Sequence, residues 1–507
     1  MLSKVNSFTL IGLTGVKIDV EVDLSKGKPN FTLVGLPDST IKESIERVSS
    51  AICNSGFYMP VKKIVINLAP ADVKKEGSLF DLAIAVGILQ AGGYMNNDEY
   101  RKYVIVGELS LDGKLRPVNG MLPLLISAKE QGFTKFIIPK KNEAEACYLN
   151  GIEAYTFNDL AEVISFLKKE TSVSPVVPRI WEKEDKRYKE DLSRVKGQYK
   201  AKRALEIAVA GGHNIMLVGA PGSGKTMLAK CVPSILPDLT FEEALEITKI
   251  HSIAGVLDKE LGVVTSRPYR SPHHSATPVA LTGGGKNAKP GEISLAHNGV
   301  LFLDEMPEFN KSLLETLRQP LEDGYITVSR ANLTVQYPAN FMLIASMNPC
   351  PCGNYGSKTL ECKCSPSQID KYLKKLSGPL LDRIDLKIDV DRVDFYDLTS
   401  ESPEESSEEV KKRINKAREI QRKRFEGTGT HTNAKMNSAQ IKEFCKIDSD
   451  AELILKVAFD RYKLSARAYT RILKVARTIA DLDDSPNILM KHISEAISYR
   501  TIDKYEL

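Results

Sequence analysis

The residues Gly219-Ala-Pro-Gly-Ser-Gly-Lys-Thr226 fit the spacing G-x-x-x-x-G-K-[ST], a loop that wraps a nucleoside triphosphate. Gly219, Gly222 and Gly224, with Ala220, Pro221 and Ser223 between them, let the backbone turn its N–H groups onto the β- and γ-phosphates at a helix N-terminus. Lys225 adds a point charge near the γ-phosphate, and the Thr226 hydroxyl is suited to ligate Mg²⁺. The apolar run Asn214-Ile-Met-Leu-Val218 predicts a strand entering the loop, and Met227-Leu-Ala-Lys230 predicts a helix leaving it. A ligand-free glycine-rich turn is the plainer alternative, and the correct flanks weigh against it.

Two further runs supply groups that could act on the same phosphates. Val300-Leu-Phe-Leu-Asp-Glu305 is four apolar residues ending in two carboxylates, as a buried parallel strand would deliver them. Asp304 would hold Mg²⁺ through its water shell, and Glu305 would polarise the attacking water. The apolar run Phe341-Met-Leu-Ile-Ala-Ser346 leads to Asn348, a side chain suited to orient that water. Its alternative role is a turn residue before Pro349. Immediately beyond, Cys350-Pro-Cys352 and Cys362-Lys-Cys364 place four thiols within fifteen residues, and Gly353, Asn354 and Gly356 let the loop fold back. Four thiolates can close one tetrahedral zinc site, and a reducing compartment favours zinc over disulfides. The C-x-C spacing is less common than C-x₂-C, so redox-labile thiols and unliganded thiols remain as other readings.

These runs need elements to position them. A length of 507 residues suggests about three domains, and 42% hydrophobic residues with mixed charge is ordinary globular composition. The net charge of +5 is small for this length, so any nucleic-acid surface must be local. No apolar run approaches a membrane span and the N-terminus lacks a signal-peptide core, which predicts a cytoplasmic protein without a membrane partner. Cys53, Cys147, Cys231 and Cys445 lie in apolar surroundings and read as reduced core thiols. The chain reads as α/β throughout its first part. Residues 1–168 form one lobe, with strands such as Lys63-Ile-Val-Ile-Asn67 and Lys135-Phe-Ile-Ile-Pro139; 169–191 is a linker. Residues 192–390 form the nucleotide-binding core, 391–409 an exposed acidic connection, and 410–507 a helical lid. The basic helix Lys411-Lys-Arg413 to Arg422-Lys-Arg424 reads as a solvated face, with a nucleic-acid patch as the alternative.

The combination resembles the AAA+ ATPases, and within them the magnesium-chelatase branch. The resemblance implies that Gly197-Gln198 contacts the adenine, and that Gly378-Pro-Leu-Leu-Asp-Arg383-Ile-Asp carries an arginine finger at Arg383. It also implies that Ser465-Ala-Arg467-Ala-Tyr-Thr-Arg471 carries the second sensor, at Arg467 rather than Arg471. A finger that reaches the neighbouring subunit implies a ring, usually of six. The segment Gly283-Gly-Gly-Lys-Asn-Ala-Lys-Pro-Gly-Glu-Ile-Ser294 is similar to the helix-two insert of that branch, which points into a pore. Tyr325-Ile-Thr-Val-Ser-Arg330 and Leu333-Thr-Val-Gln-Tyr337 predict a hairpin similar to its pre-sensor hairpin. Lys286, Lys289 and Arg330 are then candidates to track a DNA backbone, against a plainer reading as exposed loop charge. His273 and His274 are adjacent and read as structural.

Cys350-Pro-Cys-Gly after Asn348, together with Pro290-Gly-Glu-Ile-Ser-Leu-Ala-His-Asn-Gly-Val-Leu-Phe-Leu-Asp-Glu305, closely resembles the ComM/YifB family of magnesium-chelatase-like ATPases. The likeness spans essentially the whole chain. It implies ATP and Mg²⁺ as cofactors, a hexamer, and a DNA motor that promotes branch migration in recombination and natural transformation. A chelatase-type remodeller of a partner protein is the second reading. The first 168 residues resemble the Lon-protease domain (S5 domain 2-like) in Gly107-Glu-Leu-Ser-Leu-Asp-Gly-Lys114, Asn119-Gly120 and Phe136-Ile-Ile-Pro-Lys140. The catalytic pair of that fold is missing: Leu79 stands at the nucleophile and Leu122 at the lysine. Ser78 has no lysine to take its proton, so no peptidase is expected.

Overall fold

The computed structural model describes residues 2–500 apart from 36–38, 74, 76, 96, 185–187, 286–287, 331–332, 358–359, 394–395 and 397–402. Two compact units emerge, one comprising Met1–Glu182 and Phe241–Thr265, the other Lys183–Thr240 and Ser266–Leu507. Among the described residues no helix is long and apolar enough to cross a membrane.

The first unit is built on a seven-stranded mixed sheet. Its order is Asn30–Val34, Lys63–Ala69, Thr14–Ser25, Leu2–Ile11, Val104–Ile105, Lys135–Pro139 and Glu153–Phe157. In Thr14–Ser25 the period-two pattern buries Ile18, Val20, Val22 and Leu24 while Asp19, Glu21 and Asp23 take the other face. Helix Asp81–Ala91 is buried along its whole length against this sheet. It approaches closely because Gly87 has no side chain; a Cβ there would lie 2.8 Å from Cγ2 of Val22. The buried carboxylate of Asp81 is paired with Arg47 at 2.6 Å and accepts the N–H of Leu109 at 3.2 Å. Cys147 is buried, whereas Cys53 is exposed on helix Ser39–Asn54, contrary to its expected place in the core. Its neighbours Ala51 and Ile52 take the inward positions of that turn.

Segment 241–265, read from sequence as part of the nucleotide-binding core, packs with this first unit. Helix Phe241–Ala254 lies against helix Met121–Glu130. Ser252 donates to buried Glu145 at 2.5 Å, and its carbonyl and hydroxyl both accept the N–H of Gly120. Leu122 N–H and the Asn142 amide complete the shell of Glu145 at 3.0 and 2.9 Å. Burial raises the carboxyl pKa of Glu145, and these donors oppose that rise.

The second unit carries a five-stranded parallel sheet in the order Tyr269–Arg270, Val300–Leu303, Met342–Met347, Ile215–Val218 and Leu386–Asp389. The middle three are buried along their full length, as a sheet covered on both faces requires. Tyr325–Arg330 and Leu333–Pro338 pair antiparallel as the expected hairpin, and Gly283–Gly284 pairs with Lys289–Pro290.

The C-terminal part is helical. Helix Ser407–Arg424 starts at a capping box of Ser406 and Glu409, inside the stretch read as a connection. That stretch is not wholly exposed. Glu404 is nearly buried, pairs with Lys202 at 2.7 Å and accepts the N–H of Gly197 at 2.9 Å, so a cation and a backbone donor draw it inward. The basic face of helix Ser407–Arg424 is internally neutralised. Lys411 pairs with Asp238, Lys412 with Glu408, Arg413 with Glu206 and Glu405, Lys416 with Asp484, and Arg424 with Asp481. Asp481, 2% exposed, also accepts from Arg477 at 3.1 Å and from the Asn433 amide at 2.7 Å. Asp481→Ala leaves the buried guanidinium of Arg477 and the mostly buried one of Arg424 without their carboxylate. It is expected to cost about 3–5 kcal/mol of unfolding free energy, read in a denaturant titration.

Candidate nucleotide-binding site

Strand Ile215–Val218 runs into the glycine loop, and the helix Lys225–Ile235 begins at Lys225. Gly222 and Gly224 have φ of +75° and +94°, and no atom lies within 4 Å of where their side chains would project. The loop therefore faces open space with its backbone in a form that favours glycine. Gly219 is required for a different reason, since a Cβ there would lie 2.3 Å from the carbonyl oxygen of Val390.

Lys225 is 8% exposed, and its ammonium donates to the carbonyls of Gly219 and Ala220 at 2.7 and 2.9 Å and to Oδ1 of Asn348 at 3.2 Å. All three acceptors are neutral, and burial pushes the ammonium pKa down despite Asp304 and Glu305 nearby. A buried cation held only by neutral oxygens favours an arriving anion.

The strands Val300–Leu303 and Met342–Met347 end beside this loop, at the carboxyl edge of the parallel sheet. Thr226 Oγ1 lies 3.0 Å from Oδ2 of Asp304, bringing the expected hydroxyl and carboxylate of a Mg²⁺ site together. Ser346, a residue that sequence reasoning left without a role, organises the acids. Its hydroxyl bonds Asp304 and accepts the backbone N–H of Glu305 at 3.0 Å. The signal was a hydroxyl inside an otherwise apolar buried strand. Glu305 has φ of +51°, a left-handed backbone that costs a non-glycine residue about 1–3 kcal/mol, and its side chain is exposed.

Gln198 also has a left-handed backbone, φ +56°, and its amide donates to the carbonyls of Ser223 and Asp391 at 3.2 and 2.6 Å. Gly197 and Gln198 thus lie beside the phosphate loop. The Ser223 hydroxyl is buried with no hydrogen-bond partner among the described residues.

Arg383 and Arg467 lie elsewhere. The carbonyl of Arg383 accepts from the Asn214 amide at 2.8 Å, before strand Ile215–Val218 begins, whereas the phosphate loop starts after that strand ends. Asn214 and Gly219 are five residues apart, roughly 16 Å along an extended chain. The Arg383 guanidinium donates to the Pro379 carbonyl at 2.6 Å and is paired with Glu322. Burial, with repulsion from Arg318, Arg467 and Arg471, pushes its pKa down. Arg467 is exposed in the first turn of helix Ala466–Leu482, one turn before Arg471, which is paired with Asp385. Burial alone would raise the Asp385 carboxyl, but Arg471 and His213 hold it well below the usual range. Arg383, the expected finger, and Arg467, the expected sensor, are therefore grouped with each other, at the opposite end of the central strands from the phosphate loop.

Cys350, Cys352, Cys362 and Cys364 converge, with all four sulfurs within 4.8 Å of one another. Lys289 is exposed at the tip of its two-residue ladder, and Arg330 ends the first arm of the hairpin. Lys286 lies outside the described residues. His273 bonds Ser275 at 2.7 Å and its ring lies 4.0 Å from that of His274. In the first unit Leu122 is fully buried, and the Ser78 hydroxyl bonds the Glu108 carboxylate.

Residues 191–398 match the family described as magnesium chelatase, subunit ChlI; residues 20–142 and 404–500 match two further ChlI-derived families, the latter its C-terminal part. The chain is 43% identical to the competence protein ComM of Haemophilus influenzae, covering 99% of this chain and 98% of that one. It is 45% identical to the uncharacterized protein YifB of Escherichia coli over the same shares. A magnesium-chelatase subunit ChlI of Porphyra purpurea is 27% identical over 37% of this chain and 55% of its own length. With near-complete coverage at this identity, the chain belongs to the ComM/YifB family of magnesium-chelatase-like proteins.

Proposed function

We propose that the protein is an ATP-driven, ring-forming DNA motor that promotes branch migration during recombination. The observation that carries the ATPase half is the convergence of Lys225, Thr226, Asp304 and Asn348 on one loop edge. Lys225 and the loop N–H groups would bind the phosphates of ATP. Thr226 and Asp304 would hold Mg²⁺, Glu305 and Asn348 would set the attacking water, and Gly197 and Gln198 would bound the adenine. ATP with Mg²⁺ supplies a phosphoryl group made electrophilic by the metal; these residues bind it and order the water. Arg383 and Arg467 would act on the nucleotide of a neighbouring subunit, which supports a homo-oligomeric ring, a hexamer as in the resembling family.

The DNA half rests on the relative named a competence protein, on exposed Lys289, and on the resemblance that offers Lys286 and Arg330 as further backbone contacts. A Lon-like first unit without a Ser–Lys pair would serve as collar or packing surface. The test is resolution of a labelled three-strand DNA joint with Mg²⁺-ATP, against Lys225→Ala. The expected result is ATP-dependent resolution by the native chain and none by the variant. ATP hydrolysis without joint movement would overturn the motor and favour remodelling of a protein partner.

A further inference from the structure

The hydrolytic machinery leaves the four-cysteine loop unused, yet that loop leaves the site directly from Asn348. Sulfur separations of 3.4, 3.7 and 3.6 Å join Cys350 to Cys352, Cys350 to Cys362 and Cys352 to Cys362. A disulfide needs about 2.05 Å. A tetrahedral Zn²⁺ with Zn–S of about 2.3 Å puts its sulfurs about 3.8 Å apart, close to what the chain provides. Backbone donors face these sulfurs: the N–H of Tyr355 reaches Cys350 at 3.3 Å, and those of Asn354 and Lys363 face Cys352. Such N–H groups stabilise metal-bound thiolates from behind. Lys363, Lys371 and Lys375 line a groove of about 580 Å³ beside Cys352 and Cys364, and would offset the negative charge of a four-thiolate centre.

The same loop rests on the phosphate loop. Gly353, φ +79°, sits so close to Pro221 that a Cβ would lie 2.3 Å from its Cδ. The following helix, Pro366–Leu373, starts at a capping box on Ser365, and its nearly buried Tyr372 sets its phenol against the backbone of Asn348.

We propose that Cys350, Cys352, Cys362 and Cys364 bind one zinc ion, and that the closed loop braces the phosphate loop through the Gly353–Pro221 contact. The brace rests on the reading of 219–226 as a nucleotide site; the zinc site does not. Zinc fixes the ends of a fifteen-residue loop, so its loss frees the surface on which Pro221 lies and the residues that seat Asn348.

Metal analysis of the full chain, purified with reductant and loaded with zinc, is expected to give one zinc per chain. Cobalt loading is expected to give tetrahedral thiolate absorption. Fluorescent-ATP titration of chelator-stripped protein is expected to show affinity weakened at least about tenfold and restored by zinc. Gly353→Ala is expected to keep the zinc but weaken the nucleotide similarly, with all four thiolates in place. Sub-stoichiometric zinc after loading, or an octahedral cobalt spectrum, overturns the site. Full zinc with unchanged nucleotide affinity after stripping and in Gly353→Ala overturns the brace. A native chain that binds zinc but no nucleotide overturns the phosphate-loop reading and the brace with it, leaving the zinc site established.

Discussion

Arg383→Ala is expected to lose about 10³–10⁵-fold in ATP turnover, the effect of removing an arginine finger, while nucleotide affinity stays near its native value. The backbone carbonyl of Arg383 sits by Asn214, roughly 16 Å of strand away from the chain's own phosphate loop. The guanidinium is held by Glu322 and the Pro379 carbonyl. A finger so placed would serve a neighbour's nucleotide and not its own. Mixing Arg383→Ala with Lys225→Ala chains therefore restores part of the turnover, because a native finger can face a native phosphate loop at some junctions. Steady-state phosphate release across a mixing series checks this. Absence of recovery, with both variants assembled, would count against a shared site. A loss confined to nucleotide affinity would show that Arg383 serves binding alone.

Glu305→Gln is expected to lower turnover by about 10²–10⁴-fold, the usual contribution of a general base, while nucleotide and Mg²⁺ remain bound. The substitution keeps the shape of the side chain and the backbone N–H bond to Ser346. Only proton acceptance is lost. Asp304, tied to Thr226 and Ser346, is left to hold the metal. Single-turnover hydrolysis beside fluorescent-ATP binding separates the two steps. Native hydrolysis by Glu305→Gln would move the base to another group. Loss of binding instead would mean that Glu305, not Asp304 alone, holds the metal.

Legibility followed sequence distance. The phosphate loop, the acid pair after Val300–Leu303 and the hairpin are each written in a contiguous run. A strand of period two or an apolar run of four states its own geometry. What escaped reading was long-range. Ser346 reveals its work only once Met342–Met347 lies beside Val300–Leu303. The Gly353 contact with Pro221 joins residues more than a hundred positions apart. Glu404 looked like one more acid in a polar connection until Lys202 and Gly197 drew it in. Helix Phe241–Ala254 has an apolar stripe of the ordinary kind, and nothing in that stripe says which unit will bury it.

That helix makes the backbone pass between the two units three times, after Glu182, after Thr240 and after Thr265. The first unit accordingly takes a segment, 241–265, that interrupts the second unit in sequence. A shortened chain starting at Lys183 would still carry Phe241–Ala254, now stripped of the Met121–Glu130 helix and of Glu145. Leu245 would then lose the first-unit cluster it packs against. Removing residues 1–182 as a block would leave that helix without the lobe it belongs to.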